Sequence, residues 1–328
     1  MDRREFLRLL AIAGVASGTA ACAGRSARPD LYDVPAFGQA RLIHFTDCHA
    51  QLLPVYFREP NVNLGVGDAR GRPPHLVGQA LLDEAGVSPD SAFGHALSYL
   101  QFTAAARRYG KVGGFAHLKT LVDRLRGEVG EGNSLLLDGG DTWQGSGTAY
   151  WTRGKDMVGA CNRLGVDIMT GHWEFTYQDE EVLQNIDAFD GEFVAQNVRL
   201  TDDAIFDGAP AFDEDTGHVF RPYTLRTLAG RRVAIIGQAF PYTPIANPAR
   251  FIPDWTFGIR AAELQALVDS IGSDERPDAI VLLSHNGMDV DVKLASVVSG
   301  LDAILGGHTH DGMPMPVIVN NSTGKTVV

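Results

Sequence analysis

The sequence contains little cysteine and little positive charge. Only three of its 328 residues are cysteines, at positions 22, 48 and 161, which is too few for a disulfide framework. Lysine and arginine together number 28, against 40 aspartate and glutamate residues, so the formal net charge is −12. An acidic surface has few groups that could neutralise phosphates, which argues against nucleic acid or an anionic membrane as a partner.

The sequence also lacks an apolar run long enough to predict a transmembrane helix, because the run near its N-terminus is short and rich in Gly and Ala. That run lies in "MDRREFLRLLAIAGVASGTAACAG", which begins with paired arginines and ends in small residues that fit a cleavage site. It resembles a twin-arginine export signal. We therefore expect residues 1–24 to be a signal peptide for the twin-arginine export machinery and residues 25–40 to be a linker. The mature protein would be periplasmic, without stable membrane insertion.

From about residue 40, short apolar runs alternate with segments of helical periodicity. This alternation predicts βαβ units and a sheet that helices cover on both faces, an α/β fold. The predicted strands are 42–45, 134–137, 167–169, 193–195, 233–237, 279–283 and 303–305, and the predicted helices are roughly 114–126, 155–164, 179–186, 258–271 and 289–298. A Pro/Gly/Asn-rich insertion at 51–112 interrupts the pattern, and connections of that length are usually functional or disordered.

Polar residues follow several predicted strands directly, at the edge where open α/β sheets bind ligands. Those with metal-binding side chains are Asp47, His49, Asp141, His172, His285, His308 and His310. Aspartate and neutral histidine are good ligands for Mn, Zn or Fe. Each motif alone has an ordinary structural explanation, but the set in this order predicts a centre of two divalent metal ions that supplies a nucleophilic hydroxide.

The series D-x-H, G-D, G-H-W-E, a strand-end His and G-H-x-H resembles the motifs of calcineurin-like metallophosphoesterases, in the 5′-nucleotidase branch. The resemblance implies a four-layer α/β/β/α sandwich over residues 41–315. Residues 316–328 would begin a following domain that is missing from a truncated chain. By position, one metal ion would be held by Asp47, His49, Asp141 and His310, and the other by Asp141 as the bridging ligand, His172, His285 and His308.

The sequence departs from this family at residues 172 and 173, where the usual G-N-H-E has an Asn ligand and a catalytic His. His172 can replace the Asn as a ligand. Trp173 cannot replace the His, because an indole donates a hydrogen bond but cannot shuttle a proton at neutral pH. Loss of a proton donor favours a sulfur leaving group, since a thiol already titrates near a pKa of about 8.5. A degenerate site or a motif misaligned by one residue is the alternative.

With this change the chain resembles the SoxB family of periplasmic thiosulfohydrolases, for example in "DGGDTWQGSGTAYWTRGKDMV" and "MTGHWEFTY". The resemblance implies two Mn²⁺ ions and hydrolysis of the sulfonate from a cysteine S-thiosulfonate on a SoxYZ-like carrier protein. Arg58 and Arg153 are candidates for sulfonate binding, because guanidinium groups pair well with oxyanions. Trp173 either walls the site or packs in the core. Cys48, where Thr is commoner, is interpreted as a packing residue.

Two other functions remain open from the sequence. The first is a periplasmic 5′-nucleotidase or a related phosphomonoesterase. The second is a metal-binding or carrier-docking module without turnover. The metal itself also stays open, because Mn, Fe and Zn all suit these ligands.

Overall fold

The computed structural model describes residues 38–56, 65 and 67–328. The predicted signal peptide, most of the predicted linker and Arg58 lie outside the described residues. The chain divides into two compact units, a larger one of Gln39–Leu52, Phe115–His308 and Ile318–Val328 and a smaller one that includes Leu53–Gly114 and Thr309–Val317. None of the helices in the described part of the chain combines the length and apolar character that a membrane crossing requires.

The smaller unit contains three short helices where the sequence analysis predicted no regular structure. They are α1 (Gly78–Ala85), α2 (Ala92–Leu97) and α3 (Phe102–Tyr109). Leu81, Leu82 and Leu97 form a small core between α1 and α2. The Ser91 hydroxyl caps α2 by accepting a hydrogen bond from the backbone N–H of Gly94 at 2.9 Å. Helices of six to eight residues show too few turns for a clear apolar period, which explains why the sequence did not reveal them.

The larger unit contains two main β-sheets. The first has four parallel strands in the order β1-β2-β3-β4, namely β1 (Arg41–Phe45), β2 (Ser134–Asp138), β3 (Ile168–Met169) and β4 (Glu192–Phe193). A separate two-stranded pair is formed by β5 (Arg199–Leu200) and β8 (Trp255–Thr256). The second sheet consists of β6 (Tyr223–Leu228), β7 (Arg231–Gln238), β9 (Ala279–Ser284), β10 (Ala303–Leu305), β11 (Ile318–Asn320) and β12 (Lys325–Val327).

The second sheet has the order β11-β12-β10-β9-β7-β6, and its central strands β12, β10, β9 and β7 run parallel. Its two edge strands, β6 and β11, are antiparallel to their neighbours. Both β11 and β12 lie within the segment 316–328 that the sequence analysis assigned to a following domain, and they join this sheet. The predicted domain boundary stays a prediction.

Helices connect and cover the sheets of the larger unit. They are α4 (Phe115–Val129), α5 (Gly147–Thr152), α6 (Lys155–Leu164), α7 (Asp179–Asp187), α8 (Asp202–Phe206), α9 (Thr243–Ala246), α10 (Ala261–Ser270) and α11 (Met288–Val297). Short 3₁₀-helices span Trp173–Tyr177 and Ala249–Phe251, and a π-helical turn spans Ile271–Glu275.

The central strands of both sheets are buried on both faces, which confirms the predicted four-layer α/β/β/α sandwich. In β2, Leu136 belongs to the same core as Val122 of α4, and the next residue, Leu137, is fully buried on the opposite face. In β9, Leu282 packs with Leu264 of α10, while the following Leu283 is likewise fully buried. Each such leucine stabilises the fold by about 1.5–3 kcal/mol. Because buried parallel strands read as continuous apolar runs, their presence was visible in the sequence.

All seven predicted strands are confirmed within one or two residues, whereas β5, β6, β8, β11 and β12 were missed. The edge strand β6 has the sequence YTLRTL, in which polar residues on a half-exposed edge conceal the apolar pattern. The other four are two or three residues long, too short for a period of two to be recognised.

The approach of β7 to the segment after β4 generates a stability prediction. A Cβ atom added at Gly237 would overlap the carbonyl oxygen of Val194. We expect Gly237→Ala to lower the free energy of unfolding by about 2 kcal/mol or more, because the backbone must shift to admit the methyl group. Urea unfolding followed by circular dichroism measures this change.

Gly127 in α4 is the matched control for that substitution. A Cβ atom there meets no other atom within 4 Å, so Gly127→Ala should raise the free energy of unfolding by up to about 1 kcal/mol. Equal effects of the two substitutions would contradict the close approach at Gly237.

Candidate metal centre

The centre is built on the turn that follows β2. A Cβ atom at Gly139 would lie 2.6 Å from Thr46 Oγ1 and 2.9 Å from His44 Nε2, so only glycine fits where the turn passes the end of β1. The next residues adopt positive φ angles, +97° at Gly140 and +57° at Asp141. This turn directs the Asp141 side chain into the interior of the sandwich, where it is 1% exposed.

One carboxylate oxygen of Asp141 faces three imidazole rings. Its Oδ2 lies 3.0 Å from His285 Nε2, 3.2 Å from His172 Nδ1 and 3.8 Å from His49 Nε2. Potential ligand atoms of Asp141, His172, His285 and His308 all lie within 4.8 Å of one another. The structure therefore brings together the four residues that the sequence assigned to one ion, although their role as ligands stays a prediction.

The orientation of His285 is set by a backbone contact. Its Nδ1 lies 2.7 Å from the carbonyl oxygen of Gly139, which can only accept, so Nδ1 carries a proton and donates it. The other ring nitrogen then faces Asp141. A histidine whose outer nitrogen donates to a carbonyl group is the usual arrangement at metal sites.

The protonation of the cluster follows from burial and from Asp141. Burial would lower the pKa of His285, but the hydrogen bond and the charge of Asp141 raise it to about 9. Burial, with the neighbouring His285 and His172, lowers the pKa of His308 to about 4, so this ring is neutral at pH 7. Burial would raise the pKa of Asp141, but its hydrogen bonds with His172 and His285 hold it well below its usual range. Asp141 is therefore an anion, as a bridging ligand must be.

The ends of β1 and β10 meet at a second carboxylate, that of Asp47. The backbone N–H of His308 lies 2.9 Å from Asp47 Oδ2 and 3.1 Å from Asp47 Oδ1, and the Thr46 hydroxyl donates to Oδ2 at 2.7 Å. The backbone of the same turn is joined to the β2 turn, since Asp47 N donates to Gly140 O at 2.9 Å and His49 N to Asp141 O at 2.7 Å. Backbone hydrogen bonds thus fix three ligand-bearing turns of the larger unit.

Five of the seven predicted ligands have the left-handed backbone that non-glycine residues rarely adopt. They are Asp47, His49, Asp141, His308 and His310, with φ between +44° and +82°. Such conformations cost about 1–3 kcal/mol each and cluster at functional sites. His310 belongs to the smaller unit, and its predicted place in the metal centre stays a prediction.

The donor set fits a divalent cation. Among the described residues, His172 Nε2 is buried without a hydrogen-bond partner, which leaves a polar atom that a cation could satisfy. Imidazole and carboxylate groups suit Mn, Fe and Zn alike. The residues present are thus compatible with the predicted divalent metal, and they do not select one element.

Trp173 lies beside this cluster. Its ring centroid is 4.8 Å from that of His172, and its backbone N–H donates to Asp141 Oδ1 at 2.8 Å. Arg153 is engaged elsewhere, because its guanidinium donates to the Tyr177 carbonyl oxygen at 2.8 Å and pairs with Glu181 at 3.6 Å. The predicted sulfonate-binding role of Arg153 stays a prediction, as does that of Arg58 outside the described residues.

Two residues near the cluster were given no role by the sequence analysis. Phe240, two positions after β7, has its ring centroid 4.1 Å from those of both His172 and His308, and its backbone N–H donates to Gly171 O. Glu174 accepts hydrogen bonds from the backbone of the ligand turns. The acid position of the G-N-H-E pattern could have identified Glu174, whereas a single Phe gave no signal.

Two further polar residues of the motifs have structural contacts. Burial raises the pKa of the Cys48 thiol, and the side chain packs against the main core, as its interpretation as a packing residue requires. Burial raises the pKa of Asp138 to about 8. Asp138 Oδ1 accepts hydrogen bonds from Gly140 N at 3.0 Å and Thr142 Oγ1 at 2.8 Å, which supports the turn after β2.

The raised pKa of His285 generates a prediction for chelator-treated, metal-free protein. The folded state binds this proton more tightly than the unfolded state, so the contribution to stability is complete below pH 6.5 and is lost as the pH rises through about 9. We expect the stability advantage of wild type over His285→Gln to shrink by about 3 kcal/mol over this window. Urea unfolding at a series of pH values measures it.

Thr120→Ala removes an exposed side chain that does not titrate from α4 and serves as the control. Its stability difference from wild type should stay constant over the same pH window. A constant difference for His285→Gln as well would show that the Asp141–His285 interaction does not form.

The chain is similar in sequence to animal 5′-nucleotidases. It is 33% identical over 237 residues to the Rattus norvegicus 5′-nucleotidase and 32% identical over 233 residues to that of Bos taurus. Each alignment covers 66% of this chain and 38% of the relative. The chain thus spans well under half the length of these relatives. No family model matches it.

Solved structures of related hydrolases also resemble this chain. The Thermus thermophilus sulfate thiohydrolase SoxB superposes with a TM-score of 0.80 and 36% identity, over 90% of this chain and 52% of that one. A 5′-nucleotidase precursor from the same species superposes with a TM-score of 0.60 and 25% identity, over 88% of this chain and 47% of that one. The sandwich, the Asp–His cluster and these relatives together support the superfamily of 5′-nucleotidases and calcineurin-like metallophosphoesterases.

Proposed function

We propose that this chain is the catalytic domain of a periplasmic dinuclear-metal thiosulfohydrolase, exported by the twin-arginine route. Its substrate is a cysteine S-thiosulfonate on a SoxYZ-like carrier protein, from which it releases sulfate. The similarity to a sulfate thiohydrolase over 90% of the chain supports this choice.

The observation that carries the proposal is the position of Trp173. Its indole lies against His172, next to the carboxylate that holds the cluster together, in the slot where phosphomonoesterases of this superfamily have a histidine. An indole cannot protonate a leaving group at neutral pH. A substrate whose leaving group needs no proton therefore suits this site better than a phosphate monoester.

The larger unit offers ligands for two ions. Asp141, His172, His285 and His308 would hold one, while Asp47 and His49 offer ligands for the other. When bound, a pair of divalent ions would supply Lewis-acid polarisation of the sulfonate oxygens and a nucleophile at neutral pH. Mn²⁺ is the proposed metal.

The chain's own residues orient these groups and shape the site. The carbonyl oxygen of Gly139 accepts a hydrogen bond from His285 Nδ1–H and so orients the imidazole ring. The backbone N–H of Trp173 donates to Asp141 Oδ1, the second oxygen of that carboxylate. The Phe240 ring packs against the rings of His172 and His308 and limits how far they can move. These contacts place the ligand atoms before any substrate arrives, which is how a site lowers a barrier without rearrangement.

The reaction breaks the S–S bond between the carrier persulfide and the sulfonate group. The oxygen of a water molecule becomes the fourth oxygen of sulfate, the persulfide leaves with the electron pair of the broken bond, and the two protons of the water pass to solvent. No oxidant or reductant is needed. A persulfide is a stable anion, since even a simple thiol titrates near a pKa of about 8.5, so Trp173 need not donate a proton.

A 5′-nucleotidase is the second candidate, because curated 5′-nucleotidases are about one-third identical to this chain. Its difficulty is again residue 173. The alkoxide that leaves from a nucleoside monophosphate needs protonation, and the indole cannot supply it.

Sulfate release decides between these functions. Metal-loaded protein should release sulfate from thiosulfonated carrier, as measured by ion chromatography, and Asp141→Ala should abolish the release by removing the bridging ligand. Asp187→Ala, an exposed aspartate of α7, is the control that should keep wild-type activity. Phosphate release from AMP without sulfate release would establish a nucleotidase instead. Full metal loading with neither product would contradict any hydrolase function.

The role of residue 173 can be tested by restoring the histidine. We expect Trp173→His to raise the rate of AMP hydrolysis by about tenfold or more, a part of the 10²–10⁴-fold that a well-placed proton donor supplies. p-Nitrophenyl phosphate, whose leaving group needs no proton, should gain much less. Initial rates with both substrates measure the difference.

Trp151→His is the control, because Trp151 is 78% exposed on α5. It should change neither rate. An equal gain for both phosphate substrates in Trp173→His would contradict proton donation as the function of this slot.

A further inference from the structure

Glu174 is fully buried, and its carboxylate accepts four backbone hydrogen bonds. Its Oε1 accepts from Thr142 N at 2.7 Å and from Trp143 N at 3.0 Å. Its Oε2 accepts from His172 N at 2.8 Å and from Asp141 N at 3.2 Å. A single side chain thus collects every backbone N–H from 141 to 143 together with that of residue 172.

These four donors belong to the two turns that carry predicted ligands. The turn after β2 carries Asp141 and the turn after β3 carries His172, and in both the backbone leaves the strand ladder in a non-regular conformation. Unpaired buried N–H groups would cost about 1–3 kcal/mol each. A carboxyl group that accepts several of them replaces the hydrogen bonds of the missing strand ladder.

Glu174 cannot itself be a metal ligand in this geometry. A carboxylate offers about four lone-pair positions, and four N–H donors already occupy them. Its effect on the metal centre must therefore pass through the backbone of Asp141 and His172.

We propose that Glu174 is the positioning residue that pre-forms the metal centre, by fixing the Asp141 and His172 turns in their ligand-presenting conformation before metal binds. The proposal rests on the metal-binding part of the proposed function and is independent of the substrate. It also gives a role to the acid of the G-H-W-E motif, Glu174, which directly follows His172 and Trp173.

The test is Glu174→Gln in the full-length protein. The amide has the same shape, but its NH₂ group would face N–H donors, so two of the four hydrogen bonds are lost. We expect binding of at least one Mn²⁺ ion to weaken by about 10- to 100-fold, the range found when partners of metal ligands are removed. Mn²⁺ titration followed by electron paramagnetic resonance measures both affinity and the spectrum of the coupled pair.

Asp302→Asn is the matched control. Asp302 is 4% exposed and accepts a hydrogen bond from the backbone N–H of Ile280 at 2.9 Å, at the amino ends of the strands, opposite the metal centre. It should bind Mn²⁺ like wild type even if its thermal stability falls. A merely structural role for Glu174 would give the two variants the same result.

Folded Glu174→Gln with wild-type Mn²⁺ affinity and spectrum would overturn the proposal. If wild type itself binds no Mn²⁺, Zn²⁺ or Fe²⁺, the metal-binding part of the proposed function fails instead. If Glu174→Gln does not fold, hydrogen exchange of the wild-type amides decides. Pre-formation requires the amides of Thr142 and Trp143 to be protected in metal-free protein, and free exchange there would also overturn it.

Discussion

The interaction on which the rest of the larger unit depends is the contact of the Asp141 carboxylate with the surrounding imidazoles. A carboxylate that is 1% exposed must be compensated inside the sandwich, and His172 and His285 reach it from other strand ends. This convergence requires β2, β3 and β9 to end at a common edge, which parallel strands in two facing sheets provide. The strand order and the placement of the cluster are therefore two aspects of one constraint.

A second constraint on the fold is the close approach of the backbone after β10 to the side chains of Asp47 and His285. A Cβ atom at Gly307 would lie 2.9 Å from Asp47 Oδ2 and 3.2 Å from His285 Nδ1, so only glycine lets the turn after β10 pass the cluster. The neighbouring His308 then adopts a positive φ and presents its N–H to Asp47. Strain at the ligand positions is offset by these hydrogen bonds and by the buried leucines of the sheets, which lie elsewhere in the same unit.

The sequence predicted those parts of the molecule that local pattern encodes. Buried parallel strands are continuous apolar runs, and metal-binding residues directly follow them, so a helix-covered α/β sheet and the approximate site could be inferred. The four-layer sandwich was implied by the resemblance to metallophosphoesterases. The contacts of Glu174 could not, because its four donors are backbone groups that carry no residue identity. The edge strand β6 and the contact of Phe240 with two histidines depend on tertiary neighbours, and a polar edge or a lone aromatic residue has no distinctive spacing. Arg153 was a candidate for sulfonate binding because of its guanidinium alone. Its contacts with Tyr177 and Glu181 depend on tertiary neighbours that the sequence does not show.

The structure also explains how residue 173 could change without loss of the metal cluster. The group that Trp173 gives to Asp141 is its backbone N–H, and every residue except proline has one. The side chain at this position can consequently vary, while the Asp141 carboxylate keeps its hydrogen bond. His172 differs, because its ring contacts Asp141 directly and its backbone N–H is held by Glu174. Under the proposed function, adjacent residues would therefore carry separable roles, ligand placement at 172 and leaving-group chemistry at 173.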